Sequence, residues 1–244
     1  MGDTTLIDLS HLMVLRRKLE VAANNVANSE TNGFRAQHLP FQEYLKPEKH
    51  QPGVKPERPL SLVDASFSFS TSAPGAIRTT GNPLDLAING DAYFAIQTAQ
   101  GERYTRDGSF SLDSAGRLVT MNGQLVLGVS GAITVPLQAG EISIDPNGQV
   151  STKQGPLGQL RLVSFSGNAR LEPIGANLFR ANGAAATKVG SATVLQGAIE
   201  KSNVEPTAEM SRLIEVTRSY DLTSKLMTGT LDVTDMNKLA NVPD

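Results

Sequence analysis

The feature that most constrains the fold of this 244-residue chain is a helical repeat at each of its ends. In the C-terminal repeat, selected side chains recur at alternating steps of three and four residues, which on an α-helix draws one narrow seam along a single face. A helix from Pro206 to about residue 239 would be about 50 Å long, more than a small domain can cover. We therefore predict a partner helix for this seam; the alternative is an amphipathic helix that packs on its own domain. The seam comprises Met210, Leu213, Thr217, Tyr220, Ser224, Met227 and Leu231.

The N-terminal repeat lies within residues 6–28, which contain neither proline nor glycine. Its apolar side chains recur every seven residues, which is the pattern of a helix that pairs with another helix. Two seamed helices thus flank a middle that is rich in Gly, Pro, Ser and Thr. The seven-residue positions are Leu12, Leu19 and Val26, with Leu9 and Ala23 between them.

Short alternating apolar runs, separated by turn signals, fill the middle of the chain. The pairs Asn-Gly or Asp-Gly at 89–90, 107–108 and 122–123 each predict a hairpin because both turn positions tolerate a positive φ, and Asp-Pro-Asn-Gly at 145–148 is a further turn that joins two strands. The about ten strands that these turns connect predict one antiparallel β-domain, a partly open barrel or a sandwich. Asn32-Gly33 suits a left-handed turn that ends the first helix.

The sequence therefore predicts a mixed α and β fold in which long N- and C-terminal helices pair as a coiled coil and carry a central, mainly antiparallel β-domain. Prolines at 40, 47, 52, 56 and 59 indicate an extended arm after the first helix. The predicted division is 1–35 for the N-terminal helix of the inner helical domain, 36–80 for the arm, 81–195 for the β-domain and 196–244 for the C-terminal helix.

Composition and motifs argue against several classes of protein. The net charge of −2 gives no electrostatic basis for nucleic-acid binding, and no apolar run is long enough for membrane insertion. The chain has no cysteine, and its three histidines have no acidic or His partner at metal-ligand spacing. Phosphate-binding loops and hydrolase signatures are also missing. We accordingly predict no catalytic, cofactor-binding or metal-binding residues, and no signal peptide that would be cleaved.

Three ordered motifs resemble the axial proteins of the bacterial flagellum, the rod and hook family. The first reads NNVANSETNGFR, the second begins GNPLDLAINGDAYF, and the third reads GAIEKSNV. Together they span most of the chain apart from residues 37–75, and three motifs in this order are specific. Their positions are 24–35, then 81–94 with 104–110, and then 197–204 followed by Met210 and residues 218–220.

Within the family, the chain is most similar to the proximal rod protein that is closest in sequence to the distal rod protein. The features are its length and residues 33–37 and 158–163. The distal rod protein is the alternative, and the large outer domain expected of a hook protein is not found.

The resemblance implies a structural subunit of the flagellar basal-body rod and not an enzyme. Such a subunit would polymerise helically through its terminal helices to form the drive shaft across the periplasm. Its partners would be copies of itself, other proximal and distal rod subunits, and the flagellar type III export apparatus, which exports it without a cleaved signal peptide. A secreted β-domain binding protein, or an enzyme without a recognisable motif, is the alternative of another class.

The helical seams and the first motif give the expected subunit interface. Asn24, Asn25 and Asn28 would end the inner helix and fix the turn into the arm. The apolar seam residues would be covered by neighbouring subunits in the polymer. The full predicted set is Leu12, Leu19, Asn24, Asn25, Val26, Asn28, Gly33, Phe34, Met210, Leu213, Tyr220, Met227 and Leu231.

Overall fold

A computed structural model describes the backbone of residues 2–39, 42–46, 60–64, 69–70, 73–136, 138–165, 171–183, 186–188 and 192–240, and in the two helices it describes the side chains from residue 9 and up to residue 227. The chain clusters into two compact units. Unit 1 contains residues 1–27, 37–68 and 205–244, and unit 2 contains residues 28–36 and 69–204.

Unit 1 is built from the two terminal helices and short strands of the arm. Both predicted helices are confirmed, and α1 and α2 contact each other. Within the region predicted as an extended arm, β2 and β3 form an antiparallel pair, with Tyr44 opposite Leu62. The elements are α1 (Gly2–Ala27), β1 (Gln37–His38), β2 (Gln42–Lys46), β3 (Leu60–Asp64) and α2 (Pro206–Ala240).

Unit 2 is an antiparallel β-domain with open sheets, which confirms the predicted character of the central region. Its strands are β4 (Phe69–Ser70), β5 (Ile77–Thr79), β6 (Leu86–Asn89), β7 (Tyr93–Thr98), β8 (Gly101–Thr105), β9 (Phe110–Leu112), β10 (Leu118–Thr120), β11 (Leu125–Gly128), β12 (Gly131–Ala132), β13 (Ile142–Ile144), β14 (Gln149–Thr152), β15 (Gly155–Gln159), β16 (Leu162–Ser164), β17 (Leu171–Pro173), β18 (Phe179–Ala181), β19 (Thr187–Lys188), β20 (Thr193–Gln196) and β21 (Ala198–Glu200). The largest sheet has the order β17-β18-β8-β7-β11-β10-β9, with β12 on β11, β16 on β7 and β19 on β16. A second sheet has the order β13-β14-β15, and two further pairs are β20-β6 and β21-β5.

Strand β7 separates two apolar clusters in unit 2. Successive side chains of a strand point to opposite faces, so Phe94 and Ile96 enter one cluster while Tyr93 and Ala95 border the other. In the first cluster the ring of Phe94 meets that of Phe110 edge-on, with the ring centres 5.0 Å apart. The core of unit 2 therefore lies on both faces of this strand.

Two of the predicted hairpins are confirmed. Strands β10 and β11 pair around residues 121–124, where Gly123 has a φ of 76°. Strands β13 and β14 pair around residues 145–148, where the Asp145 carboxylate accepts hydrogen bonds from the backbone N–H groups of Asn147 and Gln149.

The hairpin predicted at 89–90 is wrong, because β6 pairs with β20 instead of β7. The carbonyls of Ile88, Gly90 and Ala92 accept hydrogen bonds from the Arg106 guanidinium. The Arg106 side chain thus binds backbone carbonyls on both sides of residues 89–90. A local turn pattern does not reveal a partner at this distance in sequence.

The hairpin predicted at 107–108 is also wrong, because β8 pairs with β7 and β18 whereas β9 pairs with β10. Gly108 lies against the backbone of Leu86, whose N–H donates to the Gly108 carbonyl at 3.0 Å. A Cβ at position 108 would lie 1.7 Å from the Leu86 carbonyl oxygen. Here glycine serves a close approach between backbones and not a two-residue turn.

Candidate subunit interface

Helix α1 directs one face towards its own unit. Residues that follow one another are about 100° apart around a helix, so side chains at positions 14, 15, 21, 22 and 25 share a face. On α2, Glu209 and Val216 are buried. The other described side chains of both helices are half-buried or exposed. The buried side chains of α1 are Val14, Leu15, Val21, Ala22 and Asn25.

The predicted seam of α1 does not coincide with this buried face. Leu12, Leu19 and Val26 are half-buried and lie about 100° around the helix from its centre. The subunit's own chain therefore covers only part of the seam.

The predicted seam of α2 is divided between burial and exposure. Leu213, Tyr220 and Met227 are half-buried on the flank of the face that carries Val216, whereas Met210 is exposed. Leu231 falls within α2, but its side chain lies outside the described residues.

Large apolar side chains are exposed on both helices, and we call them the outward apolar set. Met13 on α1 is 65% exposed and Leu222 on α2 is 61% exposed, so neither is covered within the chain. Sequence reasoning identified part of this set and missed Met13, Ile214, Leu222 and Leu226, which lie off the predicted seams. The only sequence feature that could have identified these four residues is that they are apolar and lie on a helix outside its predicted seam. The set is Leu9, Met13, Met210, Ile214, Leu222 and Leu226.

Asn25 forms a fully buried polar junction in unit 1. Its Oδ1 accepts from the Gln37 N–H at 2.9 Å, and its Nδ2 donates to the Gln37 carbonyl at 2.9 Å and to Glu209 Oε2 at 3.3 Å. The other carboxylate oxygen of Glu209 accepts from Arg212 at 2.5 Å. Asn24, beside Asn25, is exposed.

The predicted residues that follow α1 lie in unit 2. Asn28 is half-buried in the turn, where its carbonyl accepts from the Thr31 N–H at 3.2 Å. Gly33 has a φ of 67°, which confirms the predicted left-handed turn. A Cβ at Gly33 would lie 2.4 Å from the Asp107 backbone nitrogen, so the backbones touch here.

Residues 28–36 and 197–204 bind each other within unit 2, and we call this arrangement the N–C clasp. The Gly33 N–H donates to the Glu200 carbonyl at 2.7 Å, and the Ala36 N–H donates to Asn203 Oδ1 at 2.7 Å. The clasp thus joins segments far apart in sequence. Its apolar cluster consists of Phe34, Ala36 and Val204.

An ion triad lies buried in the N–C clasp. Glu200 is 1% exposed and its carboxylate binds Arg35 at 3.1 Å and Arg106 at 2.7 Å. It also accepts from the Gly75 N–H at 3.0 Å. Burial lowers the pKa of Arg106, and the negative charge of Glu200 opposes that shift.

The three triad residues were not assigned a role from sequence, although each lies in a different one of the three motifs. Arg35 closes the first motif, Arg106 lies in the second, and Glu200 lies in the third. The signal available was that each motif carries a charged residue close to a glycine, although each motif also carries other charged residues.

A polar network extends from the N–C clasp into the β-domain. Asn32 Nδ2 donates to Ser109 Oγ at 2.9 Å, and Ser109 N–H donates to the Asp107 carboxylate at 3.0 Å. Burial raises the pKa of Asp107, while its hydrogen bonds with Ser109 act in the opposite direction. These hydrogen bonds position Asn32 against the β-domain.

Two further observations concern the described parts of the chain. No three His, Asp or Glu side chains converge there as ligands for a metal ion. Neither helix combines the length and the apolar character that a membrane span requires.

Three family profiles match successive parts of the chain. The profile for flagella basal body rod proteins matches residues 9–35, which include most of α1 and the first half of the N–C clasp. The profile for the D1 domain of flagellar hook proteins FlgE/F/G matches residues 87–152. The profile for the C-terminal part of flagellar basal body rod FlgEFG proteins matches residues 195–232.

Curated relatives match over nearly the full chain. The flagellar basal-body rod protein FlgF of Caulobacter vibrioides is 36% identical, over 96% of this chain and 95% of its own length. FlgF of Mesorhizobium japonicum is also 36% identical, over 96% of both chains. The flagellar basal-body rod protein FlgG of Bacillus subtilis is 32% identical, over 96% of both chains.

Proposed function

The chain belongs to the flagellar basal-body rod proteins and is a structural subunit of the rod; from this premise we propose that it polymerises helically through the open faces of α1 and α2. In this proposal the terminal helices pair as a coiled coil within the subunit, and neighbouring subunits cover the outward apolar set. Each contact is heterologous, because a face of one subunit meets a different face of the next and the series does not close.

The observation that carries this proposal is the exposure of six large apolar side chains on the described parts of both helices. Amphipathic helices that bind other chains do so through apolar side chains left open on their surface. The half-buried seam of Leu12, Leu19 and Val26 supports it, because a neighbour could complete a seam that the chain itself covers only in part.

Within the rod we assign the chain to the proximal type. The resemblance of residues 33–37 and 158–163 supports this assignment. The assembled rod would then span the periplasm as a drive shaft and include other rod subunits, and the chain would reach it through the flagellar export apparatus.

The test places a charge in the outward apolar set. Met13→Glu on α1 and Leu222→Glu on α2 alter side chains that are exposed in the subunit, so we expect an unchanged melting temperature of the soluble protein. Assembly should fail, because an unpaired charge buried between subunits costs several kcal/mol. Electron microscopy of isolated basal bodies and motility in soft agar give the readout.

The matched controls keep each position apolar. Met13→Leu and Leu222→Met preserve the character and approximate volume of the side chain, so rods should form as in the wild type. Normal rods from both glutamate variants would show that these helix faces make no subunit contact.

A further inference from the structure

The buried junction at Asn25 does more than end a helix. Two of its three hydrogen bonds go to the backbone of Gln37. These two bonds position the chain where it passes the last turn of α1. The third goes to Glu209 in the first turns of α2, 184 positions away in sequence. This third bond joins the two helices of unit 1.

A polar bond at this place is a costly way to stabilise a helix pair. Asn25 is 0% exposed and Glu209 is 6% exposed, so both polar groups have lost most of their water. Replacing a buried polar pair with apolar side chains of similar volume is often neutral or stabilising. Where helices retain such a pair, its best-attested use is to select one register.

The neighbouring residues show what Glu209 would meet after a slip of one turn towards the start of α1. One helical turn back along α1, the buried positions are Val21 and Ala22, whose side chains have no hydrogen-bond donor. A slip of about 5 Å, which is one turn, would leave the Glu209 carboxylate without its Asn25 partner in an apolar contact. The apolar residues alone would tolerate such a slip better, since they pack without directional bonds.

We propose that Asn25 and Glu209 form a register pin that sets the axial position of α1 against α2. The pin fixes the heights at which the outward apolar set is presented to the next copy of the chain. This inference rests on the proposed function for its consequence in assembly, while the register itself is a property of the subunit. Asn25 and Glu209 are positioning residues, because neither side chain is exposed to a neighbouring copy.

Two substitutions of Glu209 separate the pin from ordinary stabilisation. Glu209→Gln removes the charge but keeps an oxygen that can accept from Asn25 Nδ2. Glu209→Met has a similar length and no such acceptor, yet it leaves both bonds between Asn25 and Gln37 in place. The full-length protein is used throughout.

The register is measured as a distance between spin labels. The chain contains no cysteine, so Ala23→Cys and Arg218→Cys create the only two labelling sites. Both positions are exposed and lie at different heights along the helix pair, so an axial slip changes their separation. We expect one narrow distance in the labelled wild-type background and in Glu209→Gln. In Glu209→Met we expect a second distance that corresponds to an axial slip of about 5 Å, or one turn, with an unchanged or higher melting temperature and a loss of rod assembly.

Four outcomes would decide against part or all of this. A single wild-type distance in Glu209→Met would overturn the pin, as would a broad distribution in the wild type. A second distance in both Glu209→Gln and Glu209→Met would mean that the charge of Glu209 and its ion pair with Arg212 set the register. That result would also overturn the pin. A slipped register in Glu209→Met with normal rods would retain the pin in the subunit but overturn the proposed use of the helix faces in assembly.

Discussion

Glu200 is the only carboxylate shared by two buried arginines among the described residues. Two guanidinium groups converge on its carboxylate, and side chains of all three members of the triad are 4% exposed or less. A buried ion pair contributes little net stability relative to an apolar pair, but removing one partner leaves the other charge without compensation. At Glu200 a single change would strand two positive charges.

We therefore expect Glu200→Gln to lower the free energy of unfolding of unit 2 by about 3–5 kcal/mol. The substitution keeps the size of the side chain and its capacity to accept from the Gly75 N–H, so it isolates the charge. Urea unfolding of the full chain, followed by circular dichroism, measures the loss.

The matched control is Glu172→Gln, in the same unit. Glu172 also accepts from an arginine, Arg180, at 2.6 Å, but both side chains are nearly half exposed. Water and ions screen such a pair, so the control should change stability little. Equal losses in the two variants would mean that the triad is not the centre of the clasp.

The two helices are the elements that sequence predicts best. Periodicity predicts both helices, and the structure confirms that they exist, although α1 begins at Gly2, before the predicted repeat, and α2 runs through Gly229. Periodicity does not say which of several apolar faces the subunit itself buries. Leu15 and Met13 are two positions apart, yet they are 4% and 65% exposed, and only the position of α2 and β3 beside α1 decides between them.

The strands show the same division between local and distant causes. The turns around Gly123 and at 145–148 close hairpins because their geometry is set by adjacent residues. The turns at 89–90 and 107–108 have equally good local signals and fail. At both places the backbone carbonyls bind a partner that is distant in sequence. The partner is the Arg106 side chain at 89–90 and the Leu86 backbone at 107–108.

Two glycines with nearly the same backbone conformation separate two reasons why a position requires glycine: its own φ value, and the close approach of another part of the chain. Gly33 and Gly123 have φ values of 67° and 76°, so alanine is strained at both by about 1–2 kcal/mol. Their surroundings differ. A Cβ added at Gly33 would lie 2.4 Å from the Asp107 backbone nitrogen, whereas a Cβ added at Gly123 would have no atom within 4 Å.

Accordingly, Gly123→Ala should lower the free energy of unfolding only by the conformational cost of alanine. Gly33→Ala should lower it by on the order of 4 kcal/mol, which is the range of the most severe single substitutions. Both glycines belong to unit 2, so one urea transition reports both variants. Similar losses in the two would contradict the close approach at Gly33.

At the scale of the whole molecule, sequence order and spatial units do not coincide. The predicted β-domain, residues 81–195, omits β5 and β21, and it also omits the N–C clasp. Unit 2 instead gathers residues 28–36 with 69–204. Pattern reading could not place residues 28–36 there, because they are held by contacts with residues far away in sequence, such as Ser109 and Glu200.

This difference leads to a prediction about which part of the chain folds alone. A fragment of residues 28–204 contains every described residue of unit 2, including Arg35 and Glu200, so we expect a β-type circular dichroism spectrum and a cooperative thermal transition. A fragment of residues 81–195 keeps Arg106 but lacks the carboxylate that compensates its charge, and β6 loses the end of its partner β20. Because an uncompensated buried charge costs about 3–5 kcal/mol, a large share of the roughly 5–15 kcal/mol that stabilises a typical domain, the shorter fragment should melt without cooperativity or at a much lower temperature. Equal melting temperatures for the two fragments would show that the clasp is an attachment to an already complete β-domain.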